Sequence, residues 1–130
     1  MTVSMIVAGL LGIMLLFLSG YVVLGRVKLK IDLGDGDNEQ MRQRIRAQAN
    51  FAEYVPLALL LLILVDVGKI GPGWLPAAMG VTLIVARLWH AQGLLSSPGT
   101  STGRFMGANL TALVIVVGAV ATMGHGFGAW

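Results

Sequence analysis

The segment RAQANFAEYVPLALLLLILV, residues 46–65, decides the fold. From Tyr54 onward it carries no charge, and an apolar run of this length belongs in hydrocarbon. Its first half is polar in a patterned way. Arg46, Asn50 and Glu53 stand at i, i+4 and i+7, so on a helix they share one face. A charged side chain at the bilayer centre costs roughly 3 kcal/mol even on the lenient insertion scale, so an ionisable residue at this depth marks a candidate functional site. The competing reading is that Arg46 pairs with Glu53 or Asn50 only to hold helices together. Pro56 frees the carbonyl of Ala52, and a local kink there would open space beside Asn50 and Glu53.

Working outward, the whole chain agrees with this reading. Its 130 residues are 56% hydrophobic and 12% charged, with a mean hydropathy of +0.82, which describes an integral membrane protein rather than a soluble domain. There is room for about four spans of roughly 20 residues each, joined by short loops. The sequence therefore predicts a single all-α, four-helix membrane domain over 1–130, with helices at about 3–24, 39–65, 74–95 and 105–123. The first apolar run lacks a basic leader and exceeds a typical signal-peptide core, so it reads as a retained helix. Cysteine is absent, which excludes disulfides, thiolate metal sites and a cysteine nucleophile. Two distant histidines, His90 and His125, make no metal-site pattern.

The connections carry the remaining signals. In helix 1, Ser4, Ala8 and Gly12 form a ridge of small residues that would let another helix approach, and Tyr21 reads as an interfacial anchor. LGDGDN, 33–38, is turn-forming, with Asp37 or Asn38 placed to cap helix 2. It lacks the ligand spacing of a calcium-binding EF-hand. Arg42 falls on the polar stripe of helix 2, whereas Arg44 points elsewhere, toward lipid headgroups. Helix 3 carries VARLWHAQGL, 85–94, with Arg87 and His90 at i and i+3. Arg87 can snorkel to the interface or face inward, and His90 can be a packing residue or a ligand-binding one. SSPGTSTG, 96–103, is an uncharged loop ending at Arg104, and GHGFGAW, 124–130, places His125 and Trp130 near the interface.

The net charge of +3 does not require a nucleic-acid partner. Of the nine Lys and Arg residues, Arg26, Lys28, Lys30, Arg42, Arg44 and Arg46 surround the first loop. Arg87 and Arg104 adjoin the third, and Lys69 alone lies in the second, balanced by Asp66. This distribution predicts cytoplasmic loops 1 and 3, with both termini on the opposite side. Arg26, Arg42, Arg46, Asn50, Glu53, Arg87, His90 and Arg104 then converge at the cytoplasmic end of the bundle. A cationic pocket with one carboxylate and one carboxamide suits a small ligand bearing carboxylates and an ammonium. Glutathione has these groups, and a nearby arginine would favour its reactive thiolate, while a lipophilic electrophile could arrive from the membrane.

RAQANFAEYVP, 46–56, and ARLWHAQG, 86–93, resemble the signature segments of the MAPEG family, the membrane-associated proteins in eicosanoid and glutathione metabolism. The LGDGDN loop resembles its bacterial branch, which implies a bacterial inner membrane. The resemblance implies a homotrimer with glutathione bound between subunits near the cytoplasmic side. Arg46, Asn50, Glu53 and Tyr54 would hold glutathione from one subunit, with Arg87 and His90 beside them. Arg26 and Gln48 would approach from the neighbour, with Lys28 a rival for Arg26. Arg104 matches the arginine that stabilises the thiolate in catalytic members. Leu94 and Ala49 stand where some members have tyrosine and arginine, which points away from eicosanoid synthesis and toward conjugation or peroxide reduction. Two alternatives are a non-catalytic lipid-binding scaffold of the same family and a small multidrug exporter. The exporter's essential helix 1 carboxylate is missing, and the loop charge bias opposes its dual topology.

Overall fold

The computed structural model describes residues 2–97 and 99–129. Trp130, expected near the interface, lies outside the described residues, as does Pro98 of the third loop. The described chain forms four helices: α1 (Thr2–Leu29), α2 (Glu39–Val67), α3 (Leu75–Ser96) and α4 (Thr102–Gly126). All four are long and apolar enough to cross a membrane. α3 is the most buried of them and packs on α1, α2 and α4. The protein is an all-α, four-helix integral membrane bundle.

The helix ends follow from local chemistry. α1 runs one turn beyond its apolar core because Arg26 and Lys28 fall in its last turn, where cations favour the helix C-terminus. Asn38 is the residue that caps α2, accepting the Met41 N–H at 3.0 Å. Asp37 precedes it with φ near 55°, and so makes the turn rather than the cap. In the same loop Arg42 donates from Nε to Asp35 at 2.6 Å and also meets Glu39. The hydrogen bond from Arg42 holds the Asp35 carboxyl below its ordinary range. α4 begins three residues earlier than the apolar pattern suggests, because Ser101 accepts the Arg104 N–H and starts the helix. Arg104 therefore sits in the first turn of α4. At the other end of the bundle, the Ser4 N–H donates to Asp66 at 2.9 Å and ties α1 to α2.

Packing follows seams of alternating three- and four-residue spacing. The buried residues of α4 are Gly107, Thr111, Val114, Gly118 and Ala121; those of α2 include Phe51, Val55, Ala58, Leu62 and Val65. This spacing keeps one narrow face turned to neighbours in a nearly parallel crossing. The small-residue ridge of α1 is not its internal seam. Only Ser4 of that ridge is buried, while Gly12 has open space around it and Val7, Leu11 and Leu18 make the contacts.

The closest approach is between α3 and α4. A Cβ on Gly107 would lie 2.6 Å from the Ala86 carbonyl oxygen and the His90 Cβ, and 2.7 Å from the His90 nitrogen. Gly107→Ala therefore has to push two backbones apart, an overpacking that costs about 1–3 kcal/mol. Gly9 has no atom within 4 Å of an added Cβ. Gly9→Ala should be neutral or mildly stabilising, since alanine is the better helix former. Thermal unfolding in detergent should place Gly107→Ala several degrees below the parent and Gly9→Ala at or above it. Equal melting of the two variants would contradict this packing account.

Candidate functional site

The centre of the site is an arginine inside the bundle. Arg87 is 1% exposed and is the largest fully buried side chain among the described residues. It stands nine residues before the end of α3, about 13 Å along the helix axis at 1.5 Å per residue, and it faces inward rather than toward the interface. Its Nη2 donates to Asn50 Oδ1 on α2 at 2.8 Å, and its Nη1 meets the Thr111 hydroxyl on α4 at 3.4 Å. The Phe51 ring lies under the guanidinium at 5.9 Å, within range of a cation–π contact. One side chain thus joins α2, α3 and α4. Its Nε has no hydrogen-bond partner, and no ion pair to Arg87 occurs among the described residues.

Above this group is a cleft of about 270 Å³ lined by Asn50, Tyr54, Arg87, Ala108, Asn109, Thr111 and Ala112. The α4 wall was not legible as a site, although ANLTAL, 108–113, is the polar interruption in an apolar helix that signals it. Thr111 donates to the Gly107 carbonyl at 2.7 Å and is left with a lone pair for Arg87. The Asn109 amide donates to the Phe105 carbonyl at 2.8 Å, leaving its oxygen as an acceptor. The cleft is therefore asymmetric, with the Asn50 carboxamide on the α2 wall and a free acceptor from Asn109 on the α4 wall.

The MAPEG sequence model matches residues 4–124. The chain belongs to the MAPEG family. It is 30% identical over 91 residues to Inner membrane protein YecN of Escherichia coli strain K12, an overlap covering 70% of this chain and 69% of that protein. The YecN protein of Escherichia coli O6:H1 strain CFT073 matches to the same extent.

Within this MAPEG chain the helix 2 motif is divided. Asn50 and Tyr54 line the cleft, whereas Arg46 and Glu53 project from the exposed side of α2 and make no hydrogen bond or ion pair among the described residues. Among the described residues Arg46 therefore pairs with neither Glu53 nor Asn50. Gln48 is half-buried outside the cleft. Arg26 donates to the carbonyls of Ile31 and Gly34, so within one chain it fastens the first loop. Arg44, expected among headgroups, crosses to α1, where it donates to the Tyr21 carbonyl at 3.0 Å and stacks 3.9 Å above the Tyr21 ring. Gly25 makes this possible, because a Cβ there would lie 2.9 Å from the Arg44 side chain.

Arg104 and His90 form a second cluster, on the α3–α4 seam. The Arg104 guanidinium donates to the Gly99 carbonyl and steadies the third loop. Its backbone carbonyl lies 3.1 Å from His90 Nδ1. A carbonyl only accepts, so the neutral His90 ring carries its proton on Nδ1 and leaves Nε2 as an acceptor. Nitrogen-15 NMR of the imidazole in its neutral form should report the Nδ1–H tautomer. An Nε2–H tautomer would mean that the contact with Arg104 is absent.

Proposed function

We propose that this MAPEG protein is a membrane glutathione transferase, with glutathione peroxidase capacity, that works as a homotrimer. The observation that carries the reading is the cleft in which Asn50 and Tyr54, from the family's helix 2 motif, meet the buried Arg87. A carboxamide donor at one wall and an acceptor at the other suit a ligand that combines carboxylate and ammonium groups, as glutathione does. The exposed positions of Arg46 and Glu53 support a shared site. A neighbouring copy against this side of α2 would enclose them and bring its own Arg26 and Gln48 to the ligand.

Glutathione's thiol resembles free cysteine, with a pKa of about 8.5, so at neutral pH it is mostly protonated. In the proposed reaction Arg104 exchanges the Gly99 carbonyl for the ligand's sulfur and stabilises the thiolate. In conjugation the sulfur bonds to an electrophilic carbon and the leaving group departs with its electron pair. In peroxide reduction the sulfur attacks the peroxide, the O–O bond breaks, and the alkoxide takes up a proton. A second glutathione then displaces water from the sulfenic acid to give the disulfide. The lipophilic partner enters from the bilayer, and the binding energy serves chiefly to hold it against the thiolate. The membrane is proposed to be a bacterial inner membrane, as the name of the YecN relative indicates for that protein. Loops 1 and 3 face the cytoplasm, where their Lys and Arg residues are favoured.

Calorimetry on the detergent-purified protein provides the test, beside an Arg46→Ala, Glu53→Ala double variant and Arg104→Ala. The parent should bind glutathione saturably and generate the ultraviolet thiolate band. The double variant should bind at least tenfold more weakly, the scale of losing one charge-assisted hydrogen bond. Arg104→Ala should bind glutathione but lose the thiolate band and turnover together. Absence of glutathione binding by the parent would refute the reading in favour of a lipid-binding scaffold.

A further inference from the structure

The contact between Arg87 and Asn50 bears on which chemical groups the cleft accepts. A guanidinium has only donors, so the Asn50 atom 2.8 Å from Arg87 must be the carboxamide oxygen. The Asn50 NH2 is consequently turned away from Arg87. It makes no hydrogen bond among the described residues, although Asn50 lines the cleft. Thr111 cannot relieve this arrangement, because its proton is committed to the Gly107 carbonyl. Arg87 is fully buried, its Nε is unpartnered, and none of the described ion pairs neutralises it. An uncompensated charge in so apolar a setting projects its potential into the nearest opening.

We propose that Arg87 is a positioning residue that holds the Asn50 carboxamide with its NH2 facing the cleft, so that the cleft selects a carboxylate at Asn50. The identity of the ligand rests on the glutathione reading; the selection of a carboxylate does not. If Asn50 turned over, its oxygen would face the same point and repel the carboxylate. Arg87 thus acts through Asn50, not by touching the ligand. A purely structural arginine predicts something different. Replacing a buried unpaired charge by an apolar residue of similar size is often neutral or stabilising, so fold and affinity should separate in the variant.

The experiment measures glutathione affinity and melting temperature for the parent, Arg87→Met, Asn50→Leu, the combined Arg87→Met/Asn50→Leu variant, and Asn50→Asp, all as full chains in detergent. Arg87→Met should bind about tenfold or more weakly while melting no lower than the parent. The combined variant should lose no more affinity than Asn50→Leu alone, because the two residues act as one unit. Asn50→Asp should melt higher, as its carboxylate neutralises Arg87, and should lose glutathione binding. Parent-like affinity in Arg87→Met, or losses that add in the combined variant, would overturn the proposal. Should Arg87→Met fail to fold, Asn50→Asp decides the matter: retained binding overturns the proposal, and lost binding in a more stable protein supports it. If the parent binds no glutathione, the proposed function fails separately, and glutarate becomes the probe. A melting temperature raised by glutarate in the parent but not in Asn50→Asp upholds carboxylate selection; no rise in the parent overturns it.

Discussion

The geometry of the candidate site depends on the burial of one full positive charge between three membrane helices. Arg87 has no access to water and no carboxylate partner among the described ion pairs, so its charge is met by the carboxamide of Asn50, the hydroxyl of Thr111 and the face of Phe51. Each of these comes from a different position on α2 or α4, and all must be in register at once. In a low-dielectric interior a polar network of this kind is costly when half satisfied and specific when satisfied. The remaining donor, Nε, and the unpaired charge are left beside a cleft. An arrangement that served only stability would have placed a carboxylate there or used an apolar side chain.

The α3–α4 seam sets the other half of the geometry. Gly93, Gly103 and Gly107 have backbone so close to the opposing helix that a Cβ at any of them would fall within 2.7 Å of a neighbouring atom. This closeness brings His90 Nδ1 to the Arg104 carbonyl and the Ser101 hydroxyl to the Gly93 carbonyl. The first turn of α4, and with it Arg104, is held by backbone contacts rather than by long side chains. The cleft and Arg104 are thus positioned from the same helix, one from its middle and one from its start. The first loop is fixed independently, by Arg26 on its carbonyls and by Arg42 on Asp35.

The number and order of the helices were legible because hydrocarbon thickness imposes length and apolarity, which survive in any reading of the chain. The helix ends were less so. α4 starts early through a Ser101 cap inside a loop of small polar residues, and α1 ends late through basic residues that look like loop. The family was legible in RAQANFAEYVP because that segment resembles the family's signature, whereas its spacing alone marks only a polar stripe in an apolar helix. Which of those residues meet within the chain was not legible. A one-dimensional stripe places Arg46, Asn50 and Glu53 together, whereas packing turns Asn50 toward Arg87 and leaves the other two outward. Sequence left Arg87 equally able to snorkel or to turn inward, and only the proximity of Thr111 and Asn50 decides between them. Arg44 shows a further case, in which the missing Cβ at Gly25 lets the guanidinium reach the Tyr21 carbonyl, a contact that the helix pattern does not reveal.

The cleft over Arg87 is the proposed meeting place of the protein and glutathione. The most direct measurement is an experimental structure of the membrane-embedded protein with glutathione present. A glutathione carboxylate should lie within hydrogen-bond reach of the Asn50 NH2, between α2 and α4, with Arg46 and Glu53 enclosed by a neighbouring copy. Glutathione bound elsewhere, or a cleft filled by a lipid chain while Arg46 and Glu53 remain facing lipid, would contradict it.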